Sequence, residues 1–190
     1  MTFSILNYQS DLEKILEGLS VPGRVAFAAW CAEYMLSKSF GYLTSKIGNE
    51  GTNTLRRALK LLWQIAEGVQ ELDKSTALLL NECKRIDWNS ERIKDEEQLA
   101  NIFAVDAVTC LLHAIDTCET ESPKAAAMSG ERIISNLAHQ LSGKHGKSAL
   151  AAAIFLELEF LAELERQKKM IEYLRSQPEI SDRMKTVFRG

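Results

Sequence analysis

Between Asn53 and Gln70 the apolar residues Leu55, Leu59, Leu62, Ala66 and Val69 recur at alternating spacings of four and three. A helix turns once every ~3.6 residues, so this spacing gathers all five on one face. Arg56, Arg57, Lys60, Gln64 and Glu67 fall on the other faces. Such a helix must dock its apolar side on something. The stretch just before it supplies a partner. From about Pro22 to Leu36, Val25, Phe27, Ala28, Ala29, Trp30, Ala32, Met35 and Leu36 make a helix apolar on most sides, the pattern of a buried central element. Ser37-Lys38-Ser39 is expected to interrupt it. A short helix from Phe40 to Ile47 and a turn at Gly48-Asn49-Glu50-Gly51 follow.

The same periodicity covers the rest of the chain. Ser10-Asp11-Leu12-Glu13 has the form of a capping box before Leu12, Ile15, Leu16 and Leu19. A helix is expected from Lys74 to Ile86, then a loop at Asp87-Trp88-Asn89-Ser90 and a charged connector from Glu91 to Gln98. A strongly apolar helix runs from there to about Glu119. Ser122-Pro123 starts the next, with serine as cap and proline as first helical residue. After the glycine-bearing SGKHGK loop, Ser142 to Lys147, a long helix is expected from Ser148 to Ser176, stopped by Pro178. Its apolar face is read as Leu150, Ile154, Leu158, Leu161, Leu164, Ile171 and Leu174. No strand-like alternation of useful length occurs. The fold class expected is all-α, a single compact bundle of about eight helices. Residues 1–190 form one domain, with a core over 22–176, an N-terminal helical arm over 1–21 and a tail over 177–190.

Composition excludes several function classes. The 190 residues are 46% apolar and 26% charged, enough to bury a core without disulfides or metals. A net charge of −3 lacks the basic footprint of a nucleic-acid binder. The opening MTFSILNYQSDLEKIL has no basic region and no long apolar core, so no signal peptide is expected. The longest uncharged apolar run, around Ser148 to Leu156, is too short to span a bilayer. Cys31, Cys83, Cys110 and Cys118 form no C-x-x-C pair and each sits in an apolar helical run, which fits reduced, buried thiols in the cytoplasm.

Few residues are arranged for chemistry. Gly146-Lys147-Ser148 precedes a helix, but a phosphate loop needs a glycine where Leu141 stands, and a strand before it. Asp106, Cys110 and His113 share one helix face and are metal-ligand types, yet no histidine has a glutamate three residues before it, as dinuclear helical bundles require. Glu33, Asp106 and His113 are therefore read as a polar core. Glu157, Glu159, Glu163 and Glu165 read as a solvated face, with Glu165 pairing with Lys169. Arg56 and Arg57 are expected on the surface beside acidic partners. No G-x-S-x-G elbow is present, and no histidine is tied to a cysteine by spacing. No cofactor, metal site or catalytic residue is expected. Trp88, Glu91, Asp95, Glu96, Glu97, Lys144 and His145, in the charged connector and the SGKHGK loop, are the expected partner-binding surface.

Taken in order, VAFAAWCAEYM, RRALKLLW, AVDA and the closing ER...IEYLR resemble domain-of-unknown-function family 416, the YjaG-like bacterial proteins. Phe27, Glu33, Met35, Gly48, Arg56, Arg57, Leu59, Trp63, Asp106 and Arg175 carry the resemblance, which spans about Arg24 to Arg175. Tyr34 stands where the family often has arginine, and Ser37-Lys38-Ser39 replaces a proline-bearing break. The resemblance implies an all-helical bacterial cytoplasmic protein and supplies no catalytic residues.

Three functions fit these observations. The first is a non-enzymatic interaction protein, in concrete form an immunity protein that binds and blocks a bacterial toxin, its acidic charge suiting a basic target. The second is a small-molecule- or metal-binding bundle, conceivably an enzyme, with a pocket near Glu33, Asp106 and His113. The third is a homodimer joined along the Ser148–Ser176 helix. The expected partner is a protein, a cognate toxin or a second copy, with neither nucleic acid nor membrane involved.

Overall fold

The computed structural model describes residues 7–86, 98–145, 158–176 and 180. Among them are six helices and no strand: α1 (Tyr8–Glu17), α2 (Val21–Ala66), α3 (Lys74–Lys84), α4 (Gln98–Thr120), α5 (Pro123–His145) and α6 (Leu158–Ser176). The all-α class stands, and the expected count of about eight is replaced by these six.

Most of that difference lies in α2. Helical backbone runs unbroken through Ser37-Lys38-Ser39, where a break was expected. The hydroxyls along this arm bond back to their own helix, Ser37 to the Tyr34 carbonyl at 2.8 Å and Thr44 to the Phe40 carbonyl at 2.8 Å, so they do not compete with the helical ladder. The one interruption is Gly48, at φ 72° and ψ 177°, a backbone region open only to glycine.

Gly48 reverses the chain. Contacts on the two sides pair residues equidistant from it. The Thr44 and Thr52 hydroxyls lie 3.2 Å apart, the Arg56 guanidinium is 4.6 Å from the centre of the Phe40 ring, and Trp63 Nε1 donates to Glu33 Oε2 at 3.1 Å. A straight helix would hold Glu33 and Trp63 about 45 Å apart. The element is a helical hairpin, with the apolar first arm against the amphipathic second, as their sequence patterns require.

The helix ends follow local chemistry. Ser20 accepts from the Gly23 amide at 3.2 Å with Pro22 in the first turn, and Ser122 accepts from the Ala125 amide at 3.3 Å beside Pro123. Asp73 caps α3 in a reciprocal box with Thr76. The second arm of α2 stops in a Schellman motif: the amides of Val69 and Gly68 bond the Gln64 and Ile65 carbonyls at 2.9 and 3.0 Å, with Gly68 at φ 70°. Val69 therefore leaves the helix and is 71% exposed rather than part of its buried stripe. The expected capping box at Ser10 is not formed. Helix α1 begins three residues earlier, at Tyr8, with Asn7 in the cap position, and the Tyr8 hydroxyl is anchored in the core.

Helix α2 packs against α3, α4, α5 and α6, and α1 lies on α5. The core contains Phe27, Trp30, Leu36, Leu55 and Leu62 from α2, Leu111 and Ile115 from α4, and Leu12 and Leu16 from α1. Ala100–Thr120 of α4 is long and apolar enough to cross a membrane, with a mean hydropathy of 1.3. Ala104, Ala107, Val108, Leu111, Ala114 and Ile115 on this helix are buried in the bundle, which is the packing of a central core helix.

Helix α6 keeps part of its expected face, with Ile171 and Leu174 buried and Leu164 packed against the core, and departs from it toward its start. Leu158 is 82% and Leu161 44% exposed, while Phe160, Glu163, Gln167, Met170, Ile171 and Leu174 are buried. Leu150 and Ile154 lie outside the described residues.

Candidate functional site

The buried polar groups come first, because they show which side chains are already engaged. Glu163, expected in a solvated face, is buried. Its carboxylate accepts from Arg166 Nε and Nη2 at 2.6 and 2.8 Å and from Gln167 Nε2 at 2.9 Å. The Arg166 guanidinium lies over the rings of Trp30 and Tyr34, at 3.9 and 4.1 Å from their centres. Gln167 Nε2 also donates to the Gly130 carbonyl at 3.1 Å, and Gln167 Oε1 accepts from the Tyr8 hydroxyl. One network thus joins α1, α2, α5 and α6. Composition hid it because glutamate, arginine and glutamine are mostly surface residues. The available signal was their spacing, which places all three on one face of α6. Glu165 is exposed and reaches Lys168 and Lys169 at 3.7 and 4.0 Å, near the pairing expected.

The three residues read as a polar core do not meet in one pocket. Asp106 is buried and accepts from Asn136 Nδ2 at 2.9 Å and Arg132 Nη1 at 3.5 Å, both on α5. Its charge is satisfied by a neighbouring helix. His113 lies farther along α4, half-buried, and its Nε2 has no hydrogen-bond partner among the described residues. Burial, reinforced by the Arg132 guanidinium, holds its pKa below the usual imidazole range, against the opposing pull of Asp116 and Glu131. Glu33 accepts from Trp63 across the α2 hairpin, and the cleft it lines contains neither Asp106 nor His113.

All four cysteines are buried, as expected. Burial pushes the Cys83 thiol up to about 12 and Cys118 up to about 11, and raises Cys31 and Cys110 as well. Thiols held there are not thiolates at neutral pH and are poor nucleophiles. Among the described residues, no group of three or more His, Cys, Asp or Glu is placed to hold a metal ion.

The outer face of the second arm of α2 is exposed and carries charge. Arg56, Arg57 and Lys60 are exposed along it. No carboxylate forms an ion pair with any of them among the described residues; of the acidic neighbours expected for the two arginines, Glu33 and Glu67 share a cleft with Arg56 without pairing with it. Two open clefts flank this row. One, of about 370 Å³, is lined by Glu33, Arg56, Leu59, Lys60, Trp63, Gln64 and Glu67. The other, of about 330 Å³, is lined by Arg57, Lys60, Leu61, Gln64, Gln70, Ser75, Thr76 and Leu79. Lys60 and Gln64 border both and form the ridge between them. Val69 and Leu72 on the connection to α3, and Leu78 on that helix, are exposed, as are Glu71 and Asp73.

The partner surface expected from sequence lies elsewhere. Trp88, Glu91, Asp95, Glu96 and Glu97 are outside the described residues. Lys144 and His145 fall in the last turn of α5, so the first residues of SGKHGK extend a helix instead of forming a loop, and their side chains are also outside the description.

No family model matches the chain, and no curated protein does. Among solved structures, a DUF416 family protein from Shewanella baltica matches with a TM-score of 0.73 over 93% of this chain and 90% of that one, at 18% sequence identity. The chain has that protein's fold. Of the residues carrying the resemblance read from sequence, Glu33, Arg56, Leu59 and Trp63 line a single cleft.

Proposed function

We propose that the chain belongs to the DUF416 family and works in the cytoplasm as a non-enzymatic protein-interaction module, through the exposed face of the second arm of α2. An ordered run of sequence motifs and a shared fold over nearly the whole chain support the family assignment. The observation that carries the interaction reading is the row Arg56, Arg57 and Lys60, without an ion-pair partner among the described residues and between two clefts, in a chain of net charge −3. Cations lacking internal partners are available to an external one. The buried charges, by contrast, are engaged inside the bundle, Glu163 by Arg166 and Asp106 by Asn136 and Arg132. A concrete form of this role is an immunity protein that covers a bacterial toxin. Co-expression with the products of adjacent genes tests it. Joint purification with one of them, lost in the Arg57→Glu/Lys60→Glu variant, is the expected result. Failure to bind or protect against any of them overturns it.

A second reading, binding of a small molecule, draws on the cleft beside Glu33, whose ~370 Å³ lies in the range of ligand pockets and whose wall includes the Trp63 indole. A small molecule that raises the melting temperature of the wild type, but not of Trp63→Ala, would favour it.

A further inference from the structure

The charge and apolar pattern of this face points to one kind of occupant. We infer that it binds an acidic, amphipathic segment of another protein, with carboxylates set against Arg56, Arg57 and Lys60 and apolar side chains set against Val69, Leu72 and Leu78. The inference rests on the interaction reading above and adds the chemistry of the partner.

The sign comes from the local row. A chain with more carboxylates than cations concentrates three cations within five consecutive residues and gives none of them an internal carboxylate among the described residues. The Arg56 guanidinium is held over the Phe40 ring, which orders it without consuming its charge. Arg56 and Lys60 are one helical turn apart, about 6 Å along the axis, as are Arg57 and Lys60 at slightly closer spacing. Carboxylates one turn apart on a helix, or at alternate positions on an extended segment, match that separation.

The two acidic residues of the first cleft do not reverse the sign. Glu33 accepts from the Trp63 indole, and Glu67 lies at the C-terminal end of the arm, beyond the cations. Past Glu67 the surface is mixed: Val69 is 71%, Leu72 40% and Leu78 58% exposed, beside the exposed carboxylates Glu71 and Asp73. The cationic end and the apolar, acid-bearing end thus set a direction for the occupant, with its carboxylates at the Arg56 end and its apolar residues at the other. From Arg56 to Ala66 the arm is about 15 Å long, roughly the length of a three-turn helix in the partner.

Panning a random-peptide display library against the purified full chain tests this, with Arg57→Glu/Lys60→Glu as a counter-target. Both positions are exposed, and the variant should show an unchanged melting transition. The expected result is enrichment of peptides rich in Asp and Glu beside apolar residues, which bind the variant about tenfold or more weakly and lose affinity as salt rises. The neutral Arg57→Gln/Lys60→Gln variant should fall between. Peptides that depend on the face but carry no acidic excess would overturn the inference and leave the interaction reading standing. No enrichment, or enriched peptides indifferent to both variants, would remove the interaction reading and the inference with it.

Discussion

The indole N–H of Trp63 meets the Glu33 carboxylate at 3.1 Å, although thirty residues of almost uninterrupted helix separate them. Only the reversal at Gly48 allows this contact. The hairpin it creates gives the molecule both its central packing element and its candidate binding face. The cleft walled by Glu33 and Arg56 exists because two arms lie side by side.

Gly48 is therefore the first position to test. A Cβ there would meet nothing within 4 Å, so Gly48→Ala probes backbone conformation alone. The substitution should destabilise the protein by about 1–3 kcal/mol in urea denaturation. Gly41 is also open to a Cβ but has helical backbone, and Gly41→Ala should stabilise by about 0.5–1 kcal/mol. Equal effects of the two substitutions would contradict the assignment of the bend to Gly48.

Gly130 is constrained by space instead. A Cβ at this position would stand 2.6 Å from Gln167 Oε1 and 2.8 Å from Leu12 Cδ2. Gly130→Ala must displace the ends of the Gln167 and Leu12 side chains, which disturbs the buried hydrogen bonds of Gln167, at a cost of about 1–3 kcal/mol. Thermal melting of Gly130→Ala beside Gly130→Ala/Gln167→Ala separates the two neighbours. Partial recovery in the double variant marks Gln167 as the obstruction.

Arg166 holds a buried carboxylate. Arg166→Met leaves Glu163 with Gln167 alone, and loss of one partner of a buried pair costs about 3–5 kcal/mol. Glu163→Gln/Arg166→Met removes both charges and should recover much of that loss. The coupling from this double-mutant cycle, measured by chemical denaturation, should exceed that of the exposed Glu165–Lys169 pair.

His113 gives the fold a pH dependence. Its pKa is lowered in the folded state by burial and by Arg132, opposed by Glu131 across the helix seam and Asp116 on its own helix. The unfolded chain then binds a proton that the folded chain resists, so stability falls as pH drops below the ordinary imidazole value of about 6.5. The loss is complete once pH is below the depressed folded value. Urea midpoints measured between mildly alkaline and mildly acidic pH should fall across this window, and His113→Gln should flatten that change. An undiminished pH dependence in the variant would assign it to other groups.

Much of this architecture was legible in the chain. Pro22 and Ser122-Pro123 marked their helix starts because the chemistry of a helix's first turn is local. Leu55, Leu59 and Leu62 lie buried as their period required. Ser37-Lys38-Ser39 misled because hydroxyls that disfavour a helix in isolation can bond back to it, as Ser37 does. The face of α6 misled for a different reason. Periodicity counts leucines, but the buried surface is set by what the neighbours can satisfy, and Tyr8, Gly130 and Arg166 satisfy Gln167 and Glu163. The candidate site was hidden by topology. Glu33, Arg56 and Trp63 were each visible in the sequence, but their common cleft follows from the direction of the Gly48 reversal.

The central claim is that function resides on the outer face of α2 and not among the buried polar groups. The affinity of a co-purifying partner for three variants tests it most directly: Arg57→Glu/Lys60→Glu on the face, and Asp106→Asn and His113→Gln in the interior. Titration calorimetry should show binding by the face variant weakened about tenfold or more. The interior variants should bind as the wild type does, with Asp106→Asn melting at lower temperature. Wild-type affinity in the face variant, together with loss of binding in Asp106→Asn or His113→Gln at a temperature where both remain folded, would contradict it.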